Sequence, residues 1–275
     1  GIDNPEVPVD SVADLNQHRI FIMSTRGSSD VAGAFYSSTR APKLGFASVD
    51  GTIPPNHVTG VLERPKKLPP DPRKEFTVVN PVVYNNNPSF VAEINRELAK
   101  RSPGNRKLML FVHGFNNTAS EAVLRLSQFV EDTGYEGVPV LFTWASAAKG
   151  TRYVYDLNSV LVARSELGNI ADILNKTNAE SFDIFAHSMG TFLTMEGLIR
   201  QNESGQLDKR TRIDHIVLAS PDIDIDLFEK YEDDAMITQT TLTQVRGVRF
   251  ETEWASTYQQ GLQKLKENSH AICLL

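Results

Sequence analysis

Leu108-Met109-Leu110-Phe111-Val112-His113-Gly114-Phe115 and Phe182-Asp183-Ile184-Phe185-Ala186-His187-Ser188-Met189-Gly190 decide the reading of this chain, because each is an apolar run ending in a short motif and the two motifs need each other. The second run leads into Thr191-Phe192-Leu193-Thr194-Met195-Glu196-Gly197-Leu198, a helical pattern. Strand, sharp turn with serine at its apex, then helix is the arrangement that presents a nucleophilic hydroxyl. Small residues are required at both ends of such a turn, because its backbone is strained and neighbouring chain packs close to it. Here they are Ala186, where glycine is usual, and Gly190. A serine that attacks a carbonyl also needs two N–H groups for the negative charge that develops on the oxygen, one after the nucleophile and one from a loop after an earlier strand. Met189 supplies the first and Phe115 the second, so both are predicted oxyanion-hole residues.

Working outward, the pattern predicts strands at 108–113, 138–143, 182–186 and 213–219 with helices between them, an alternation that argues for a mostly parallel sheet covered on both faces. Thr118-Ala119-Ser120-Glu121 matches a capping box, and Ala122, Val123, Leu126, Phe129 and Val130 form the apolar side of the helix that follows, up to Gly134. A long helix is predicted from about 155 to 174. Earlier in the chain, Ser89 is the expected N-cap of a helix whose core stripe is Val91, Ile94 and Leu98. His18–Ser24, Leu44–Gly51 and Phe76–Val79 have strand character and are expected to extend one edge of the sheet in antiparallel fashion. Active sites of such sheets lie at the carboxyl ends of the strands, where His113, Trp144, Ser188 and Asp222 all fall.

The residues Ser24-Thr25-Arg26, His113-Gly114-Phe115-Asn116, Phe142-Thr143-Trp144-Ala145-Ser146, Ala186-His187-Ser188-Met189-Gly190 and Leu218-Ala219-Ser220-Pro221-Asp222-Ile223-Asp224 together carry a resemblance, over about residues 18–228, to the alpha/beta-hydrolase family of unknown function DUF900 in the esterase/lipase superfamily. That resemblance implies an alpha/beta-hydrolase fold, with antiparallel strands at its N-terminal edge, and a serine hydrolase of esterase or lipase type without naming what is cleaved. Members generally carry Ser-x-x-Asp-x-Ala-Leu after the next strand and a Gly-His pair later. The nearest counterpart here, Ser256-Thr257-Tyr258-Gln259-Gln260-Gly261-Leu262, has Gln259 at the Asp position, and no Gly-His pair follows the elbow.

Ser188 needs a base, and in this fold the chain order is Ser, acid, His. Of six histidines, His18, His57 and His113 precede the serine, His187 adjoins it and points away, and His215 lies at the wrong end of its strand. Elimination leaves His270 as base, the alternative being an ordinary tail residue. Asp222 is the first choice of acid, Asp224 the second and Glu253 the third; capping of the turn at Asp226-Leu227-Phe228 explains Asp222 and Asp224 equally well. Asp222, Asp224, Asp226 and Asp233 touch a calcium-loop register, but Leu227 stands where glycine is required. No zinc spacing occurs, so neither metal nor cofactor is expected. His113, Gly114, Trp144 and His187 are expected to border the substrate pocket together with Phe115, with core packing the equal alternative for Trp144.

The 275 residues, 40% of them hydrophobic, suit one large domain, with a loose lead-in over 1–17 and a divergent C-terminal part over 229–275. Net charge is −6 and no basic cluster exceeds a few residues, Arg64-Pro65-Lys66-Lys67 being short and broken by proline, so a small-molecule ester rather than nucleic acid is the expected partner. The single cysteine, Cys273, excludes an intrachain disulfide. No apolar run approaches the roughly 20 residues of a membrane span. A start at Gly1 leaves room for a removed signal peptide and export. Oligomeric state is open. Two rival readings also remain open: a non-catalytic binding protein with an incomplete triad, and acyl transfer to an acceptor other than water.

Overall fold

The computed structural model describes residues 7–28, 36–114, 118–146, 158–159, 162–187, 190, 193–194, 197, 213–219, 251–254 and 271–274. Its strands are β1 (Gln17–Ser28), β2 (Tyr36–Thr52), β3 (Thr77–Tyr84), β4 (Lys107–Val112), β5 (Val138–Thr143), β6 (Ser181–His187), β7 (Ile213–Ala219), β8 (Glu251–Trp254) and β9 (Ala271–Leu274). They form one nine-stranded sheet in the order β3-β2-β1-β5-β4-β6-β7-β9-β8. Only β2 runs against the rest, so the predicted mostly parallel sheet with antiparallel N-terminal pairing is what forms.

Alternation along the central strands explains why their sequences read as unbroken apolar runs: both faces are buried. Leu108 and Val112 of β4, with Val138, Val140 and Phe142 of β5, pack on one face. They meet α1 (Asn87–Ala99) through Phe90, Ile94 and Leu98, and α3 (Leu167–Asn175) through Ile170, Ile173 and Leu174. Met109, Phe111, Leu141 and Phe185 point to the other face, against Ala122, Val123, Leu126, Phe129 and Val130 of α2 (Ala119–Thr133). Each Val, Leu, Ile, Phe or Met among them that is fully removed from water contributes about 1.5–3 kcal/mol.

The ends of α2 are set locally. Thr118 caps it by accepting the Glu121 N–H at 3.1 Å, and Gly134 closes it in the left-handed conformation, φ 64°, that a residue with a Cβ resists. Glu121 does not complete the reciprocal half of the capping box; its carboxylate pairs with Arg64 and Arg125 instead.

Several elements depart from expectation. α1 is capped by Asn86, whose side chain accepts the Ser89 N–H at 2.9 Å, not by Ser89; Pro88 fits the first turn, where an N–H has no helical partner to lose. The long helix expected to Leu174 is interrupted by a 3-10 turn at Arg164–Glu166 before α3 begins. Within the lead-in, Val12 is buried with Val7 against Val79, so the segment is pinned from Val7 onward. β8 and β9, which no periodicity announced, add two parallel strands beyond β7.

Candidate active site

The carboxyl ends of the central strands are level with one another. Val112 pairs with Phe142 on one side and Ala186 on the other, and His187 pairs with Ala219. His113, Thr143 and His187 therefore stand along one edge, and Ser188 is the next residue in the chain after His187.

The elbow end and the His113 loop touch through backbone. Gly190 is so close to β4 that a Cβ added there would lie 2.3 Å from the His113 carbonyl oxygen and 2.5 Å from that of Val112. Only a residue without a side chain fits, which is the physical reason for the last glycine of the motif. Beyond it the chain is helical at Leu193, Thr194 and Gly197, and the Thr194 hydroxyl donates to the Gly190 carbonyl at 2.8 Å.

His113 is 1% exposed and fully engaged. The Trp144 backbone N–H donates to its Nε2 at 3.1 Å, so the proton of this neutral ring sits on Nδ1, from which it is donated to the Gly114 carbonyl at 3.0 Å. The Thr143 hydroxyl lies 2.9 Å from the same Nε2. Burial first, then the positive Arg26 guanidinium, holds the His113 pKa well below the usual imidazole value. Trp144 has no exposed surface; its ring stacks on His113 with centroids 5.0 Å apart, and its indole N–H donates to the His113 carbonyl at 3.0 Å.

Arg26 closes the Ser24-Thr25-Arg26 motif and is not among the site residues that the sequence predicts. It is 3% exposed, donates through Nε to Thr143 Oγ1 at 2.8 Å and through Nη1 to the Ser146 carbonyl at 3.1 Å, and its Nη2 lies 3.4 Å from His113 Nε2. The only sequence signal for it is a charge closing the run Ile20-Phe21-Ile22-Met23-Ser24-Thr25.

His187 shares the parity of Phe185 and so faces α2; burial, then Arg125, lowers its pKa. His18 lies 2.6 Å from Glu131, His57 bridges Glu63 and Asp132 at 2.7 and 2.6 Å, and His215 lies 2.8 Å from Asp183 at the amino edge. Phe115, Ser188, Met189, Asp222, Asp224 and His270, and with them the calcium-loop register, lie outside the described residues. Glu253 is in β8, paired with Cys273 of β9. Ala271, the chain neighbour of His270, pairs with His215 at the amino edge. Among the described residues no three His, Cys, Asp or Glu side chains are grouped to hold a metal ion, and no helix is long and apolar enough to cross a membrane.

The comparison with curated proteins returned no match. Among solved structures, one from a study of two fungal esterases of Rhizomucor miehei is similar at 12% identity, covering 96% of this chain and 76% of its own, with a TM-score of 0.31, too low to argue from. Residues 86–248, more than half of the 275, match the model of the family described as alpha/beta hydrolase of unknown function (DUF900), and the chain belongs to that family.

Proposed function

We propose that the chain is a serine hydrolase of carboxylic esters working through an acyl-enzyme. Ser188 Oγ attacks the acyl carbon while His270 takes its proton, and the backbone N–H groups of Phe115 and Met189 receive the oxyanion. The imidazolium, oriented by Asp222, then protonates the departing alkoxide. Water, deprotonated by the same ring, releases the acid. His113 and Trp144 frame the site from beneath, and Gly114 and His187 flank it.

The observation that carries this reading is the contact of Gly190 with the Val112 and His113 carbonyls, which brings the end of the serine motif against the root of the loop bearing the second amide. Membership of an alpha/beta-hydrolase family and the engagement of His18, His57, His113 and His215 elsewhere add support.

One observation favours a second reading. Ala271 is level with His215 and Asp183, four residues or roughly 13 Å below His187 along β6. A base at position 270 would have to cross that distance, and without one the chain is a binding protein on a hydrolase scaffold. Fluorophosphonate labelling separates the two. Labelling of the native chain that is lost in both Ser188→Ala and His270→Ala, with matching loss of p-nitrophenyl ester hydrolysis, supports the enzyme. An unlabelled native chain with no turnover supports the binding protein, and labelling that survives Ser188→Ala rejects this nucleophile.

A further inference from the structure

We propose that Arg26 is a positioning residue, acting with Thr143 to brace the loop after His113 from which the second oxyanion amide is drawn; the inference rests on the serine-hydrolase reading. Three strand ends that are far apart in the chain, those of β1, β5 and β4, meet at this guanidinium. Its Nε–H is donated to the Thr143 hydroxyl at 2.8 Å, whose own proton is available to His113 Nε2 at 2.9 Å, and its Nη1–H reaches the Ser146 carbonyl at 3.1 Å. A planar fork with donors in fixed directions makes those contacts together; an ammonium cannot.

The consequence runs through His113. With Nε2 occupied by donors from Thr143 and Trp144, the ring keeps its proton on Nδ1 and spends it on the Gly114 carbonyl at 3.0 Å. That bond fixes the peptide from which the chain leaves toward residue 115. Trp144 grips the other side, its indole N–H on the His113 carbonyl at 3.0 Å, and the same carbonyl abuts Gly190. Arg26, Thr143, His113 and Trp144 thus form one rigid seam between the end of the serine motif and the loop beside it. The amide it holds matters most once charge has developed on the oxygen, so loosening the seam reduces turnover more than substrate binding.

The test uses the full chain with Thr143→Val, which keeps shape and removes the hydroxyl, and with Arg26→Lys and Arg26→Met. For p-nitrophenyl ester hydrolysis, Thr143→Val should lower kcat about tenfold to a hundredfold with KM unchanged, the range expected for a sub-ångström to 1 Å misplacement. Arg26→Lys should not restore wild-type kcat. Nitrogen-15 NMR of the His113 ring should show the Nδ1–H form in both proteins, because the Trp144 N–H still donates to Nε2, but the Nε2 resonance should shift in Thr143→Val as one donor is lost, together with a displaced Trp144 indole N–H signal. A purely structural role moves the unfolding midpoint without moving the His113 Nε2 and Trp144 indole signals, and that result overturns the proposal. So does a folded Thr143→Val with native kcat. Should Arg26→Met fail to fold, Thr143→Val and Arg26→Lys carry the decision. Should the native chain hydrolyse no ester, the hydrolase reading is what fails, and the His113 signals in Thr143→Val alone decide whether the brace exists.

Discussion

The two edges of the sheet are fastened by different physics. At the amino edge, Asp183 receives His215 at 2.8 Å, the Tyr135 hydroxyl at 2.9 Å and Lys107 at 3.5 Å, while Arg19 binds Asp50 at 2.8 Å and reaches Glu97 at 3.4 Å. At the carboxyl edge the ties are directional hydrogen bonds among Arg26, Thr143, His113 and Trp144, plus a backbone contact that admits no side chain. Coulomb attraction changes slowly with separation, so an ion-paired edge tolerates small shifts; a bent hydrogen bond or a steric overlap does not. Rigidity is concentrated at the edge where the proposed chemistry takes place.

Gly190→Ala puts the largest strain on the carboxyl edge. Its methyl would overlap two backbone carbonyls, neither of which can swing aside as a flexible side chain could. We expect failure to fold or a loss on the order of 5 kcal/mol, read as a drop in urea midpoint, a size seen only where a named steric or burial fault exists. A stability within about 1 kcal/mol of wild type would show the carboxyl edge to be softer than argued.

The amino edge should respond less severely. Asp183→Ala removes one acceptor from three donors, leaving the Tyr135 hydroxyl and the Lys107 charge to find water or other partners. Breaking a buried ion pair from one side costs roughly 3 kcal/mol, and here the half-buried Lys107 and His215 can rehydrate in part. Ester hydrolysis per folded molecule should stay native, since the fault lies at the far end of the strands. A fall in kcat comparable with that of Thr143→Val would mean that the edges are not independent.

Much of this fold was legible because both faces of its central strands are buried, so β4, β5, β6 and β7 read directly as apolar runs, and Thr118 and Gly134 marked the ends of α2. The arms of β1 and β2 beyond Ser24 were not, because polar residues pair there, Arg26 with Arg40 and Ser28 with Tyr36. β8 and β9, of four residues each, are too short to show a period. Asn86 and Ser89 are both good caps, and only Pro88 in the first turn tells them apart. At the site, Gly190 and His113 were legible as motif residues. The partnership of Arg26 with Thr143 was not, since it joins residues 117 apart and exists only because β1 and β5 are neighbours in an order that the linear chain does not disclose.

The smallest predicted effect separates the edges by pH. The His113 pKa is held well below its ordinary 6.5 by burial and then Arg26, and that of His187 is lowered by burial and then Arg125. As pH falls through 6.5 the unfolded chain takes up protons that the buried His113 and half-buried His187 rings refuse, so stability declines from there downward. His57 works in the opposite sense. Burial pushes it down, but the hydrogen bonds of Glu63 and Asp132 outweigh this and raise its pKa, so its contribution is complete below 6.5 and fades at higher pH. Asp183, for which burial is outweighed by His215 and Lys107, has a lowered pKa; its contribution persists until pH drops below the ordinary 3.8. The carboxyl edge should therefore begin to weaken in mild acid and the amino edge only in strong acid. Each unmatched proton adds a slope of at most about 1.4 kcal/mol per pH unit. Urea midpoints measured from pH 8 to 4 should fall below pH 6.5, less steeply in His187→Asn, whereas His57→Gln should lose stability that the native chain gains as pH drops from 8 to 6.5 and leave the fall below 6.5 unchanged. A midpoint flat down to pH 4.5 in all three proteins would mean that the histidines along the carboxyl edge are wetter than their burial implies, and the contrast between the two edges would then rest on Gly190 and the hydrogen bonds of Arg26, Thr143, His113 and Trp144.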